Sequence, residues 1–233
     1  MSQGENSAGA GSPVGGSVHY LLPRDPSEVD RLDVQHYALR GAVGADFLAP
    51  VRDPKRVLDV GAGTGQWGFD LLERFPDAEV VGLDLSPPKS GAPPGYRFVE
   101  ANLIHGLPFR DGEFDFVHLR LLSAGVPLAA WPDVVADLAR VTRAGGWVEL
   151  VEFQWDVDCA DGAAPASKRL LELTRQMAAR AGLDGDGQVF RSLDHYLRDA
   201  GLQEVSRREV AVMVGPWGGT VGSLMATDIR TGA

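Results

Sequence analysis

The stretch Arg56-Val57-Leu58-Asp59-Val60-Gly61-Ala62-Gly63-Thr64-Gly65-Gln66 decides how this chain folds. A short apolar run is cut off by glycines, which reads as a buried strand ending in a tight turn. Glycine lets the backbone bend sharply and come close to a ligand. Gln66 to Arg74 then has the pattern of a helix, whose first amides point at whatever the loop holds. Strand, glycine-rich turn and helix in that order open an α/β unit.

Outward from this unit, Val80–Leu83 reads as a second strand, closed by Asp84. From Ser86 to Gly95 stand Pro87, Pro88, Gly91, Pro93, Pro94 and Gly95, so an extended loop is expected in place of a crossover helix. Arg97–Glu100 and Phe114–Leu119 predict the third and fourth strands, and Pro132–Arg143 a helix. Gly145-Gly146 turns the chain into a fifth strand, Trp147–Val151. Helices are expected near Ala166–Ala181 and Val189–Ala200, a sixth strand over Leu202–Val214, and a last helix near Val221–Arg230. Upstream, Asp25-Pro26-Ser27-Glu28 forms a capping box, which predicts a helix to about Leu48. Residues 1–18, rich in Gly, Ser and Ala, read as a disordered tail, 19–50 as a helical lid segment, and 51–233 as the ligand-binding domain. Alternating strands and helices predict an α/β, doubly wound, mostly parallel sheet with helices on both faces. Such sheets bind ligands beyond the carboxyl ends of their strands, at the switch point.

Composition narrows the function. The chain has 233 residues, 44% hydrophobic, enough for a sizeable core. Its net charge of -10 argues against a nucleic-acid partner. A single cysteine, Cys159, excludes an internal disulfide and a multi-cysteine zinc site. His19, His105 and His195 lack ligand spacing, so no metal is expected. Neither a membrane span nor a signal peptide is visible, and a cytoplasmic enzyme is the expectation.

Two chemistries use a glycine loop of this kind. Gly63, Gly65 and Gly68 satisfy the literal dinucleotide pattern, but counted from Gly61, the first glycine after the strand, the pattern fails at Gln66. An acidic residue followed by G-x-G-x-G, here Asp59 to Gly65, instead fits S-adenosylmethionine (SAM). Asp59 suits a ligand ammonium better than a pyrophosphate, and Asp84 can accept both hydroxyl hydrogens of a ribose.

Val57–Trp67, Val80–Pro87, Phe114–Arg120 and Gly145–Phe153 together resemble the motifs of class I SAM-dependent methyltransferases. Tyr20–Asp25, Arg31-Leu32, Gln35-His36, Phe116–Arg120 and Gly146–Leu150 resemble more narrowly the LaeA-like methyltransferases, which include fungal regulators of secondary metabolism. The resemblance runs from about Tyr20 to Trp217 and implies a Rossmann-like methyltransferase sheet with SAM as cofactor. It implies Asp59, Gly61, Ala62, Gly63 and Gly65 at the methionine end and Asp84 at the ribose. Leu85 and Leu103 would sandwich the adenine, with Asn102, where the family usually has Asp, bonding its amino group. The family's sheet ends with an antiparallel seventh strand. Only Gly215–Ala233 follows Val214, so a sheet without that strand and a truncated C-terminus are expected.

The acceptor is expected to be a small natural-product hydroxyl, amine or carbon, since the Pro-Pro-aromatic signature of base methylation is missing after the fourth strand. The other reading is a SAM-binding regulator acting through protein partners, and the oligomeric state is left open. His118, at the end of the fourth strand, is the candidate base that also lines the cofactor pocket; the bland reading has it only packing there. Glu152 is a candidate for a substrate amine or hydroxyl, or a structural pair. Arg120 would orient an acidic substrate or join an ion pair. Tyr20 and His36 are lid residues or ordinary packing. Trp67 reads as core.

Overall fold

The computed structural model describes residues 26–88, 91–154 and 165–231. Five parallel strands form one sheet: β1 (Arg56–Val60), β2 (Glu79–Asp84), β3 (Tyr96–Glu100), β4 (Phe114–Arg120) and β5 (Thr142–Val151). Their spatial order is β3-β2-β1-β4-β5, so the direction of winding reverses between β1 and β4. Among the described residues six helices accompany them: α1 (Pro26–Val43), α2 (Gln66–Arg74), α3 (Trp131–Val141), α4 (Pro165–Arg180), α5 (Gln188–Asp199) and α6 (Gly219–Thr231). The family's doubly wound α/β architecture is present.

The two-residue period of a strand sorts the core into two layers. Leu58, Val60, Val81, Leu83, Val117 and Leu119 pack with Trp131, Val134, Val135 and Leu138 of α3. Val57, Val80 and Phe116 face the other way, toward Trp67, Leu71 and Leu72 of α2 and Phe47. Asp59 shares parity with Val57, and His118 with Phe116, so both polar side chains fall on the α2 layer. Register places them side by side, with Asp59 opposite His118.

The proline-rich connection between β2 and β3 holds no helix among its described residues, as its composition demands. Helix α1 stops at Val43, short of the expected Leu48, because the Gly44 amide closes the last turn on the Arg40 carbonyl at 2.9 Å. The expected sixth strand is not there: residues 203–214 contain no strand. A side chain, not a ladder, holds this segment. The Arg207 guanidinium lies over the Phe190 ring, 4.5 Å from its centre, and donates to the Phe190 carbonyl at 3.1 Å. Among the described residues the sheet therefore ends at β5.

Candidate active site

A cleft opens at the carboxyl ends of β1, β2 and β4, where the winding reverses. Its floor is the loop Gly61–Gln66, and its walls are Asp84–Pro88, Ala101–Ile104 and Arg120–Val126. Helix α1 contributes the roof through Arg31, Leu32 and Gln35. Gly61 has a φ of 73°, and a side chain there would collide with Leu122. Beneath the loop, Gly82 on β2 leaves room for the Tyr96 ring: a Cβ at that position would lie 1.8 Å from the phenolic oxygen.

Asp84 is fixed by the backbone it faces. Its Oδ2 accepts the Gly63 amide at 2.9 Å and its Oδ1 the Leu85 amide at 2.6 Å. Those two bonds fix the carboxylate at the edge of the cleft. Asn102 starts a short turn, its Oδ1 accepting the Ile104 amide at 3.2 Å. Leu85 and Leu103 line the same end of the cleft, with Ala101, Ile104 and Pro87 beside them. Gly61, Ala62 and Gly63 line its floor.

Asp59 and His118 stand elsewhere. His118 is 1% exposed, its ring stacked on Trp67 at a centroid separation of 3.8 Å. Its Nδ1 lies 3.1 Å from Asp59 Oδ1. Neither residue lines the cleft: strand parity turns both onto the α2 layer, beneath the loop. His118 is thus placed as a packed partner of Asp59, and Trp67, core in the sequence reading, covers it from the cleft side. Asp59 Oδ2 is buried with no hydrogen-bond partner among the described residues.

Glu152 is also internal. It accepts the amides of Leu122 and Ser123 at 2.6 and 3.1 Å and the Ser123 hydroxyl at 2.8 Å. Those bonds pin the cleft wall after β4. Burial, opposed by these three donors, pushes its carboxyl up to about 7. His36, 1% exposed, also lies away from the cleft. Its Nε2 sits 3.0 Å from Asp70 Oδ2, and Asp70 also accepts from Arg40 at 2.6 Å and Gln66 at 2.7 Å. The Arg120 Nη2 lies 3.2 Å from His36 Nδ1; a guanidinium only donates, so Nδ1 accepts and Nε2 carries the proton. Burial holds the His36 imidazole below its usual range. Arg120 itself does line the cleft. Tyr20 lies outside the described residues.

Sequence reasoning expected a lid segment over 19–50 but missed what ties it down. Arg31 and Gln35 both reach Asp228 of α6, Arg31 Nη1 at its Oδ1 and Gln35 Nε2 at Oδ2, 3.0 Å away. Their spacing of four residues, one turn of helix, was the available signal.

A family model described as a methyltransferase domain matches residues 57–146. The methyltransferase str2 of Strobilurus tenacellus is 33% identical over 204 residues, which cover 84% of this chain and 72% of str2. The chain belongs to the SAM-dependent methyltransferases. The secondary metabolism regulator laeA of Aspergillus flavus is 31% identical over 209 residues. Those residues cover 85% of this methyltransferase but 54% of the regulator, so the chain spans about half the length of that relative. A solved structure described as PigF with SAH (S-adenosylhomocysteine) superposes with a TM-score of 0.53 at 18% identity, over 79% of this methyltransferase and 54% of PigF, which shows the shared fold.

The described residues are compatible with SAM: a carboxylate, Asp84, and the apolar side chains of Leu85 and Leu103 line one end of the cleft, and the glycine loop lines its floor. Among the described residues no cluster suited to a metal ion occurs, and no helix is long and apolar enough to cross a membrane.

Proposed function

We propose that this methyltransferase moves the methyl group of SAM to a small-molecule acceptor of secondary metabolism, at a hydroxyl, amine or carbon, rather than to nucleic acid. The observation that carries the reading is the Asp84 carboxylate, set at the cleft by the Gly63 and Leu85 amides. SAM supplies a methyl group already activated by its sulfonium. The protein's part is to bind, align and keep water out. Asp84 holds the ribose hydroxyls, and Asn102, Leu85 and Leu103 the adenine. Gly61, Ala62, Gly63 and Gly65 give the methionine end a close backbone floor. Asp59 supports that floor from below through its pairing with His118. Helix α1, within the lid segment 19–50, roofs the cleft, with Arg31, Leu32 and Gln35 facing inward.

Calorimetric titration with SAM and SAH tests this. Asp84→Ala is expected to weaken both by about 10- to 100-fold, the worth of hydrogen bonds to a charged acceptor. Unchanged binding in the variant, or binding of NADH in place of SAM, would sink the assignment of the cleft.

The laeA relatives favour a second reading, a SAM-binding regulator acting through protein partners. Rapid SAH release from SAM in the presence of a small-molecule metabolite extract, and none with protein fractions, separates the two.

A further inference from the structure

Among the described residues Arg120 is a cation without a counter-ion. Its guanidinium has five N–H donors, and among those residues it forms one hydrogen bond, to His36 Nδ1. Among the described residues no carboxylate oxygen lies within the 4.0 Å of an ion pair. Burial pulls its proton affinity down, while the charges of Asp59 and Asp70 act from further off to hold it up. The residue ends β4 and faces the cleft next to the apolar wall of Leu121, Leu122 and Val126. A desolvated guanidinium facing an apolar wall is completed by an anion, most specifically by a planar carboxylate that matches its fork.

A second observation concerns proton acceptors. The cleft-lining residues include one group that ionises to a base, Asp84, and both its oxygens already accept backbone amides at the ribose end. His118 and Glu152 are internal, and His36 donates its one proton to Asp70. An alkylammonium must lose a proton before it can attack and an alcohol as it attacks; a phenol loses its own near pH ~10, an ammonium near ~10.4. A carboxylic acid is ionised above pH ~4 and needs no base.

We propose that the acceptor of this methyltransferase is the carboxylate of an otherwise apolar molecule, held by Arg120, and that the product is a methyl ester. One carboxylate oxygen forms the new bond to the methyl carbon. The carbon–sulfur bond of SAM breaks with its electron pair left on sulfur, which becomes the neutral thioether. No proton enters or leaves. The proposal rests on the cleft being the SAM site and narrows the acceptor oxygen to an acid's.

The test uses matched probes: cinnamate, cinnamyl alcohol and cinnamylamine, and decanoate, decanol and decylamine. Each is titrated into SAH-saturated protein, then incubated with SAM and assayed for methylated product by mass spectrometry. The acids are expected to bind and to yield methyl esters, with kcat/KM level between about pH 6 and 9 because no base titrates. Arg120→Met should weaken acid binding by about 10- to 100-fold while SAH affinity stays within about twofold, and Arg120→Lys should restore part of it. The proposal is overturned if no acid binds the SAH complex, or if an alcohol or amine is the preferred acceptor. It is equally overturned if Arg120→Met weakens SAH and not the acids, since the guanidinium would then serve the cofactor. Failure of the wild type to bind SAH refutes instead the assignment of the cleft.

Discussion

At the scale of single residues, two buried groups give measurable signatures. Burial pushes the Glu152 carboxyl up to about 7, against about 4.5 for a solvated glutamate. Between those values the unfolded chain has released the proton and the folded chain keeps it, so stability falls as pH rises through this window and levels off above it. The contribution is about 3 kcal/mol. Glu152→Gln keeps an acceptor for the Leu122 and Ser123 amides and has no proton to lose. Urea unfolding at pH 5 and pH 8 should show the wild-type difference shrinking by about that amount in the variant. An unchanged difference would place the titration elsewhere. The Tyr96 hydroxyl is buried without a hydrogen-bond partner among the described residues, and burial raises its ionisation well above the usual phenol. Tyr96→Phe removes an unsatisfied group, so the variant should match or exceed wild-type stability by up to about 1 kcal/mol in a denaturant midpoint.

Among elements, the α1–α6 pair decides whether the cleft has a roof. Arg31 and Asp228 are both buried and bonded across it. Gly41 of α1 meets Val221 of α6 so closely that a Cβ would stand 2.7 Å from its Cγ2. Asp228→Ala leaves the Arg31 guanidinium without that partner, at a cost of about 3 kcal/mol. A lowered thermal midpoint together with weaker SAH binding is the expected outcome; lowered stability with SAH affinity intact would show that the roof does not hold the cofactor. The strands around the cleft were legible because short apolar runs bounded by glycine and proline leave little choice. Residues 202–214 show the limit: alternating valines resemble a strand, but pairing needs a neighbour, and Arg207 binding to α5 settled the path instead. Gly61, Gly63 and Asp84, picked out from spacing alone, do line the cleft. His118 did not follow, because deciding which face of β4 it occupies takes the packing of Trp67 as well as the strand's end point.

For the whole molecule, the segment joining α5 to α6 is the exposed point. Residues 203–214 lack ladder hydrogen bonds and contain Arg207 and Arg208. Brief trypsin treatment should nick the described part of the chain here first, and because α6 is held to α1 by side chains, the pieces should stay together until denatured. Saturating SAH should slow the nick by stabilising the roofed form. First cleavage within α2 or α3, with 203–214 intact, would contradict this picture.

The first described helix and the last one meet over a cleft built from the strands between them. During synthesis the sheet and its glycine loop can fold while the ribosome is still adding residues. Arg31 meets Asp228 only after the chain has passed α6. A nascent methyltransferase that has not yet reached α6 therefore carries a cleft whose roof lacks the Arg31–Asp228 tie.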